Sequence, residues 1–295
     1  MHATASKAVQ ATCDHAPLPS SAQAADPTRS TAATPPHANA DARQGLADTR
    51  IDRGIAALYD ILAAALLRTP DAPITAAVYQ AAELLGRPFP HEGGEAPGES
   101  GEEKPIERES LGRHARRPEP SAPPADQPTD LTWLEQRFYD RFLVPTTGVF
   151  IPLTEGCVTG AETAGAHGRI AWGPREGRLT AHVRTLYDQA GFQPASLTHS
   201  LAPSAMRDDF LGCELAFLAF LRHPGASEGT ARGDQDARDR FAHAFLRRHG
   251  AWFDRAADLM EAQDDDFYAR VVRLAALVAR ADLQLLDERI TPPTP

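Results

Sequence analysis

"RDDFLGCELAFLAFL" (Arg207–Leu221) reads as one helix that is apolar almost all the way round. At about 100° per residue, Phe210, Phe217 and Leu221 share a sector with Glu214, and Leu211, Leu215 and Leu218 cover the next. Cys213 and Phe220 extend the apolar surface on the other flank, with Asp209 close to them. A helix without a polar face belongs in a core, so the rest of the chain must supply partners for it. Glu214 is then awkward, because burying an ionised carboxylate costs several kcal/mol unless donors meet it. Two accounts stand open: a structural pairing with a neighbouring helix or loop, or a carboxylate lining a groove for a basic or amide-rich partner. Asp208 and Asp209 have their own simple account, as acids favoured at a helix N-terminus.

The partners are helical as well. In "IDRGIAALYDILAAALL" (51–67), Ile55, Leu58, Leu62 and Leu66 recur at helical spacing beside Tyr59. Pro70 and Pro73 punctuate its end, and "ITAAVYQAAELLG" makes a second helix that stops at Gly86. Thr132 and Glu135 form a capping box for "WLEQRFYDRFLV", which presents Trp133, Leu134, Phe138 and Phe142 and ends at Pro145. A Gly/Pro/Thr loop follows, carrying Phe150 and Ile151 as exposed apolar residues, and the stretch to Pro174 reads as irregular. "RLTAHVRTLYDQAGF" is a further helix with Gly191 as its C-cap. Beyond the quoted helix and a polar loop at 225–237 comes a stripe of Phe241, Phe245, Leu246, His249, Trp252, Phe253 and Met260, with Gly250 as a break or kink. Asp264–Asp266 cap a last helix bearing Phe267, Val271, Leu274, Leu277, Val278 and Leu285 on one face. No alternating β-branched run stands out. The expected fold is all-α, one helical bundle of about eight helices in two lobes.

Composition sets the boundaries. Residues 1–50 are rich in Ala, Thr, Ser, Pro and Asp without an apolar stripe, and 87–130 holds "HEGGEAPGESGEEKP" and "RRPEPSAPPADQP". Neither can offset the entropy of ordering, so both are expected to be disordered, the first as a tail and the second as an insertion. The N-terminal lobe then comprises 51–86 and 131–192, the hinge "QPASLTHSLAPSAM" falls in 193–207, and the C-terminal lobe spans 208–288.

The net charge of −10 argues against non-specific nucleic-acid binding, which needs phosphate-neutralising cations. Cys13, Cys157 and Cys213 show no framework spacing and suggest reduced thiols in a cytoplasmic protein. The N-terminus lacks an apolar signal region, and no segment reaches the ~20 apolar residues of a bilayer span, so no stable membrane insertion is expected.

Patterns for catalysis are scarce: there is no glycine-rich phosphate loop, HExxH, GxSxG or Cys/His metal set, and no cofactor is expected. His243 and His249 stand on different helix faces, which disfavours a shared metal; His243 reads as exposed and His249 as packed and hydrogen-bonded. The pairs Arg116-Arg117 and Arg247-Arg248 lack the context of an export signal and read as solvated surface.

Several stretches together resemble the TorD/DmsD/NarJ family of cytoplasmic molybdoenzyme-maturation chaperones. The family's Asp-His-hydrophobic-x-x-Glu-Leu-x-Phe is similar to Asp209-Phe210-Leu211-Gly212-Cys213-Glu214-Leu215-Ala216-Phe217, with Phe210 in place of the histidine. "FLRRHGAWF" resembles its Phe-Leu-x-x-His-x-x-x-Trp pattern on Phe245, Leu246, His249 and Trp252. "YDQAGF", "FYARVVRLAALVA" and "FYDRFLVPTTGVFIPLTEG", with Pro145, Pro152 and Glu155, look like further family segments. The likeness covers about 51–86 and 131–288; the tail and the insertion are not family features.

The resemblance implies a protein that is not an enzyme. It would bind the twin-arginine signal peptide and the apo-form of a molybdoenzyme catalytic subunit, assist cofactor insertion and prevent premature export. It also implies a hinge before the Asp-containing helix that permits a monomer or a domain-swapped dimer. Two guanidinium groups beside an apolar stretch call for carboxylates beside an apolar groove. Asp209 and Glu214, with Phe210, Phe217, Phe150 and Ile151, are the expected signal-peptide site; Pro145, Pro152, His249 and Trp252 are motif residues of the scaffold. Competing readings are an all-α adaptor or regulator binding a folded partner, and a metal-dependent hydrolase using His182, His199, His243 or His249.

Overall fold

The expected central helix is central. In α6 (Leu211–Arg222) every residue but Phe220 is buried, so this helix contacts protein on all sides. The computed structural model describes residues 36–89, 131–164, 169–201, 206–223 and 232–290. The other described helices are α1 (Pro36–Leu67), α2 (Ala72–Leu84), α3 (Leu131–Phe142), the single-turn α4 (Glu155–Thr159), α5 (Arg178–Ala190), α7 (Arg232–His249), α8 (Ala251–Gln263) and α9 (Phe267–Ile290). The fold is all-α.

Several local expectations meet their physical cause. Ile55, Tyr59, Leu62 and Leu66 form the buried stripe of α1. Asp71 Oδ1 accepts the Ile74 N–H at 2.8 Å and so caps α2, while Gly86 beyond its end takes φ of +65°, a conformation that costs glycine little. Gly191 ends α5 with φ of +73°. Asp266 Oδ1 accepts the Ala269 N–H at 3.0 Å and caps α9. Gly250 joins α7 to α8, and its N–H still bonds to the Leu246 carbonyl at 2.8 Å, so the chain bends there without leaving helical geometry.

Three expectations need correction. Helix α1 starts at Pro36 rather than Ile51, so residues 36–50 of the expected tail are helical; residues 1–35 lie outside the described residues. The loop at 225–237 gives way to helix from Arg232. β1 (Glu162–Ala164) and β2 (Arg169–Ala171) form an antiparallel ladder, Glu162 opposite Ala171, within a stretch that reads as irregular. Strands of three residues are too short for alternation to show. From Gly45 onward the described residues share one continuous apolar core.

Of the expected insertion, residues 90–130 lie outside the described residues. Its first residues are anchored: Phe89 is buried and stacks edge-on to Tyr79 and Phe267 at 5.3 and 5.8 Å between ring centroids.

Candidate functional site

The starts of α4 and α6 cross. Thr154 and Phe210 form an isolated antiparallel bridge, in which the Leu211 N–H donates to the Leu153 carbonyl and the Glu155 N–H to the Asp209 carbonyl, each at 3.0 Å. The Asp209 side chain is fully buried, and its Oδ2 accepts the Gly156 N–H at 3.2 Å. Its carboxylate therefore serves the first turn of α4, not that of its own helix. Free N–H groups and the helix dipole favour an acid there. Burial raises the Asp209 pKa; the Gly156 N–H and a hydrogen bond with Thr180 oppose this, and the charge of Glu155 adds to it. Its Oδ1 has no hydrogen-bond partner.

Glu214 sits one turn further along α6, also fully buried. Its Oε2 accepts the Trp252 indole N–H from α8 at 3.0 Å, while Oε1 lacks a partner. Burial pushes its pKa well above the ordinary carboxylate value, the Glu155 and Asp209 charges push the same way, and the Trp252 hydrogen bond only partly opposes them. Glu155, at the head of α4, accepts from His249 Nδ1 at 2.7 Å. His249 Nε2 then lies 2.9 Å from Nδ1 of the half-exposed His182 on α5. With His249 neutral, its Nδ1 carries the proton and His182 donates to Nε2, a line of hydrogen bonds from interior to surface. Three carboxyl groups, two imidazoles and an indole thus tie α4, α5, α6, α7 and α8 at one buried node. The packed, hydrogen-bonded reading of His249 is met.

The expected binding residues divide into two places. Phe217 lies away from the crossing, buried against Tyr187, Phe192 and Phe245 with ring centroids 4.7–5.3 Å away. Phe150, Ile151, Pro145, Pro152 and Phe210 line a cavity of about 130 Å³ between the end of α3 and the crossing. Ile151 and Phe210 belong to its buried floor, whereas Phe150 is half-buried. This corrects the expectation of an exposed Ile151: its N–H bonds to the Arg141 carbonyl at 2.9 Å and draws the loop onto α3. Asp209 and Glu214 do not line the cavity. Its charged lining residues are Arg175 and Arg207.

Sequence reasoning passed over two buried arginines. Arg141 is fully buried; its guanidinium donates to Asp266 Oδ2 at 2.9 Å, the Val149 carbonyl at 3.2 Å, Gln263 Oε1 at 3.3 Å and the Asp264 carbonyl. It joins the 143–152 loop to the α8–α9 turn. Arg222, also fully buried, meets Asp52, Asp239 and Asp282 at 2.7, 2.8 and 3.2 Å. Both occupy positions that the apolar period assigns to the core, the one signal that marked them.

Burial raises the pKa of the Cys157 and Cys213 thiols, so neither is a ready thiolate. Among the described residues no group of three or more His, Cys, Asp or Glu is placed to hold a metal, and no helix is long and apolar enough to cross a membrane.

No known protein family, curated protein or solved structure matches the chain.

Proposed function

We propose that this protein is a cytoplasmic chaperone of the TorD/DmsD/NarJ kind. In this reading it binds the twin-arginine signal peptide and apo-form of a molybdopterin-dependent oxidoreductase, assists cofactor insertion and delays export. The observation that supports it most is the meeting of the resembling stretches. Glu214 of "DFLGCELAF" accepts from Trp252 of "FLRRHGAWF", and His249 of the latter bonds to Glu155 of the proline-containing loop. Residues that carry the likeness are one another's partners across 38 and 94 positions of chain. Such coupling is what a signature of one fold requires and unrelated coincidences do not.

The reading also changes how the carboxylates act. With the 154–210 bridge closed, Asp209 and Glu214 face inward and cannot reach a peptide guanidinium. They become available only if the chain after the 193–207 hinge parts from α4, which would uncover Phe210 with them. A closed bundle then stores the two acids behind a crossing held by few backbone hydrogen bonds.

A pull-down tests the reading. The purified chain is expected to capture a twin-arginine molybdoenzyme precursor and to lose it when the signal is deleted. Equal capture of the signal-less form would favour an adaptor that recognises a folded partner.

A further inference from the structure

The cavity at the end of α3 shares Phe150, Ile151 and Phe210 with the expected peptide site, but the chemistry of its lining is its own. Its walls carry the rings of Phe142, Phe150 and Phe210 together with Ile151 and Leu153, and no carboxylate lines it. At about 130 Å³ it approaches the ~150 Å³ of an apolar cavity that holds a benzene ring. It is therefore the right size for one aromatic or branched apolar group.

The polar part of its lining is cationic. Arg175 is exposed, and among the described residues its guanidinium has no ion-pair or hydrogen-bond partner. Arg207 is one-third exposed and donates from Nη1 to Glu176 Oε1 at 2.7 Å, an acid that is itself 71% exposed and easily exchanged. Thr154 adds a buried hydroxyl that lacks a strong acceptor or donor and has only a weak contact with the Cys157 thiol. An apolar hole with two guanidinium groups at its lining complements an anion on an apolar body and repels a cation, since guanidinium pairs bidentately with carboxylate.

We propose that this cavity binds a carboxylate carried on a single bulky apolar group. The apolar group fills the space among the phenylalanine rings, and the carboxylate pairs with Arg175 and with Arg207, displacing Glu176. The same chemistry is offered by a free arylalkyl acid or by a peptide ending in a bulky apolar residue. It is not offered by the basic part of a twin-arginine signal, which the two arginines disfavour.

Calorimetry with 3-phenylpropionate, 3-phenylpropanol and 3-phenylpropylamine tests the proposal on the full chain. The acid is expected to bind at least about ten-fold more tightly than the alcohol, and the amine more weakly still. Arg175→Gln and Arg207→Gln should each weaken the acid several-fold and leave the alcohol unchanged, with circular dichroism confirming the fold. Phe150→Ala should weaken acid and alcohol alike. A tripeptide ending in Phe, compared with its C-terminal amide, separates the two sources: binding of the free-carboxylate peptide assigns a chain terminus, and binding of the small acid alone assigns a free acid. Equal affinity for acid and alcohol, no acid binding at millimolar concentration, or an Arg175→Gln/Arg207→Gln double variant with undiminished acid affinity would overturn it.

Discussion

Trp252 donates its indole N–H to Glu214 at 3.0 Å in a site closed to water, joining α8 to the central helix α6. The acceptor is a carboxyl group whose other oxygen lacks a partner and whose pKa burial drives upward. This pair links the two stretches on which the functional proposal rests.

Glu214→Gln keeps an oxygen for Trp252 and removes the ionisation. The folded-state pKa of Glu214 lies above its unfolded value, so its contribution to stability is present below that unfolded value and is lost as pH rises through the folded one. The variant should therefore gain stability on wild type as pH rises from 5 to 8, read by urea denaturation. A difference independent of pH would refute a buried, ionisation-averse Glu214. Glu214→Ala, which leaves the indole N–H unpaired, should be about 1–3 kcal/mol less stable than Glu214→Gln at either pH.

Asp282 follows the same sign in a charged setting. Burial raises its pKa from 3.8 to about 6, against the pull of Arg222 and the Tyr59 hydroxyl, while Asp52 and Asp239 add to the rise. Arg222 and Arg289 face three aspartates, so a proton on Asp282 brings the group to neutrality. Stability from Asp282 is full below about pH 4 and is lost as pH rises through about 6, amounting to about 3 kcal/mol at most. Carbon-13 detection of the Asp282 carboxyl should give a midpoint near 6; a midpoint near 4 would show that the arginines dominate. Arg222→Met, which strands the aspartates, should cost about 3–5 kcal/mol.

Acid acts oppositely at His182. Burial lowers its pKa, with His249 and Arg248 adding to the effect and Glu155 opposing it. Its share of stability is present above the unfolded value of about 6.5 and lost as pH falls through the folded one. His182→Gln should make the protein less sensitive to acid between pH 7 and 5 in thermal melts. An unchanged acid profile would place the sensitivity elsewhere.

Gly156 is where α4 meets the 172–174 segment. A Cβ there would stand 2.8 Å from the Pro174 carbonyl oxygen, which cannot move like a side chain. Gly156→Ala should cost about 1–3 kcal/mol by overpacking and should loosen the Asp209 contact with the Gly156 N–H. Melting temperatures compare it with Gly177→Ala, where a Cβ meets open space.

The helices were legible because burial on one face leaves a 3.6-residue rhythm, and α6 announced its central place by having no polar face. Caps such as Asp266 and Gly191 were legible too, since each acts within a few residues of itself. Long-range partners left no such trace. That Asp209 serves α4 depends on a crossing 53 residues away, and that Glu214 meets Trp252 depends on how α6 and α8 pack. Ile151 looked exposed because a Gly/Pro/Thr loop reads as solvated, and only its bond to Arg141 shows the loop folded inward. The arginines of the cavity, Arg175 and Arg207, stand 32 positions apart and carried no motif at all.

The most direct test of the chaperone account is a fluorescence-polarisation titration of the full chain with a labelled twin-arginine signal peptide and its twin-lysine counterpart. The account predicts saturable binding that weakens at least about ten-fold on Arg-to-Lys exchange and again in Asp209→Asn, because lysine cannot form the bidentate pair. Equal binding of the two peptides, or none of either, would contradict it.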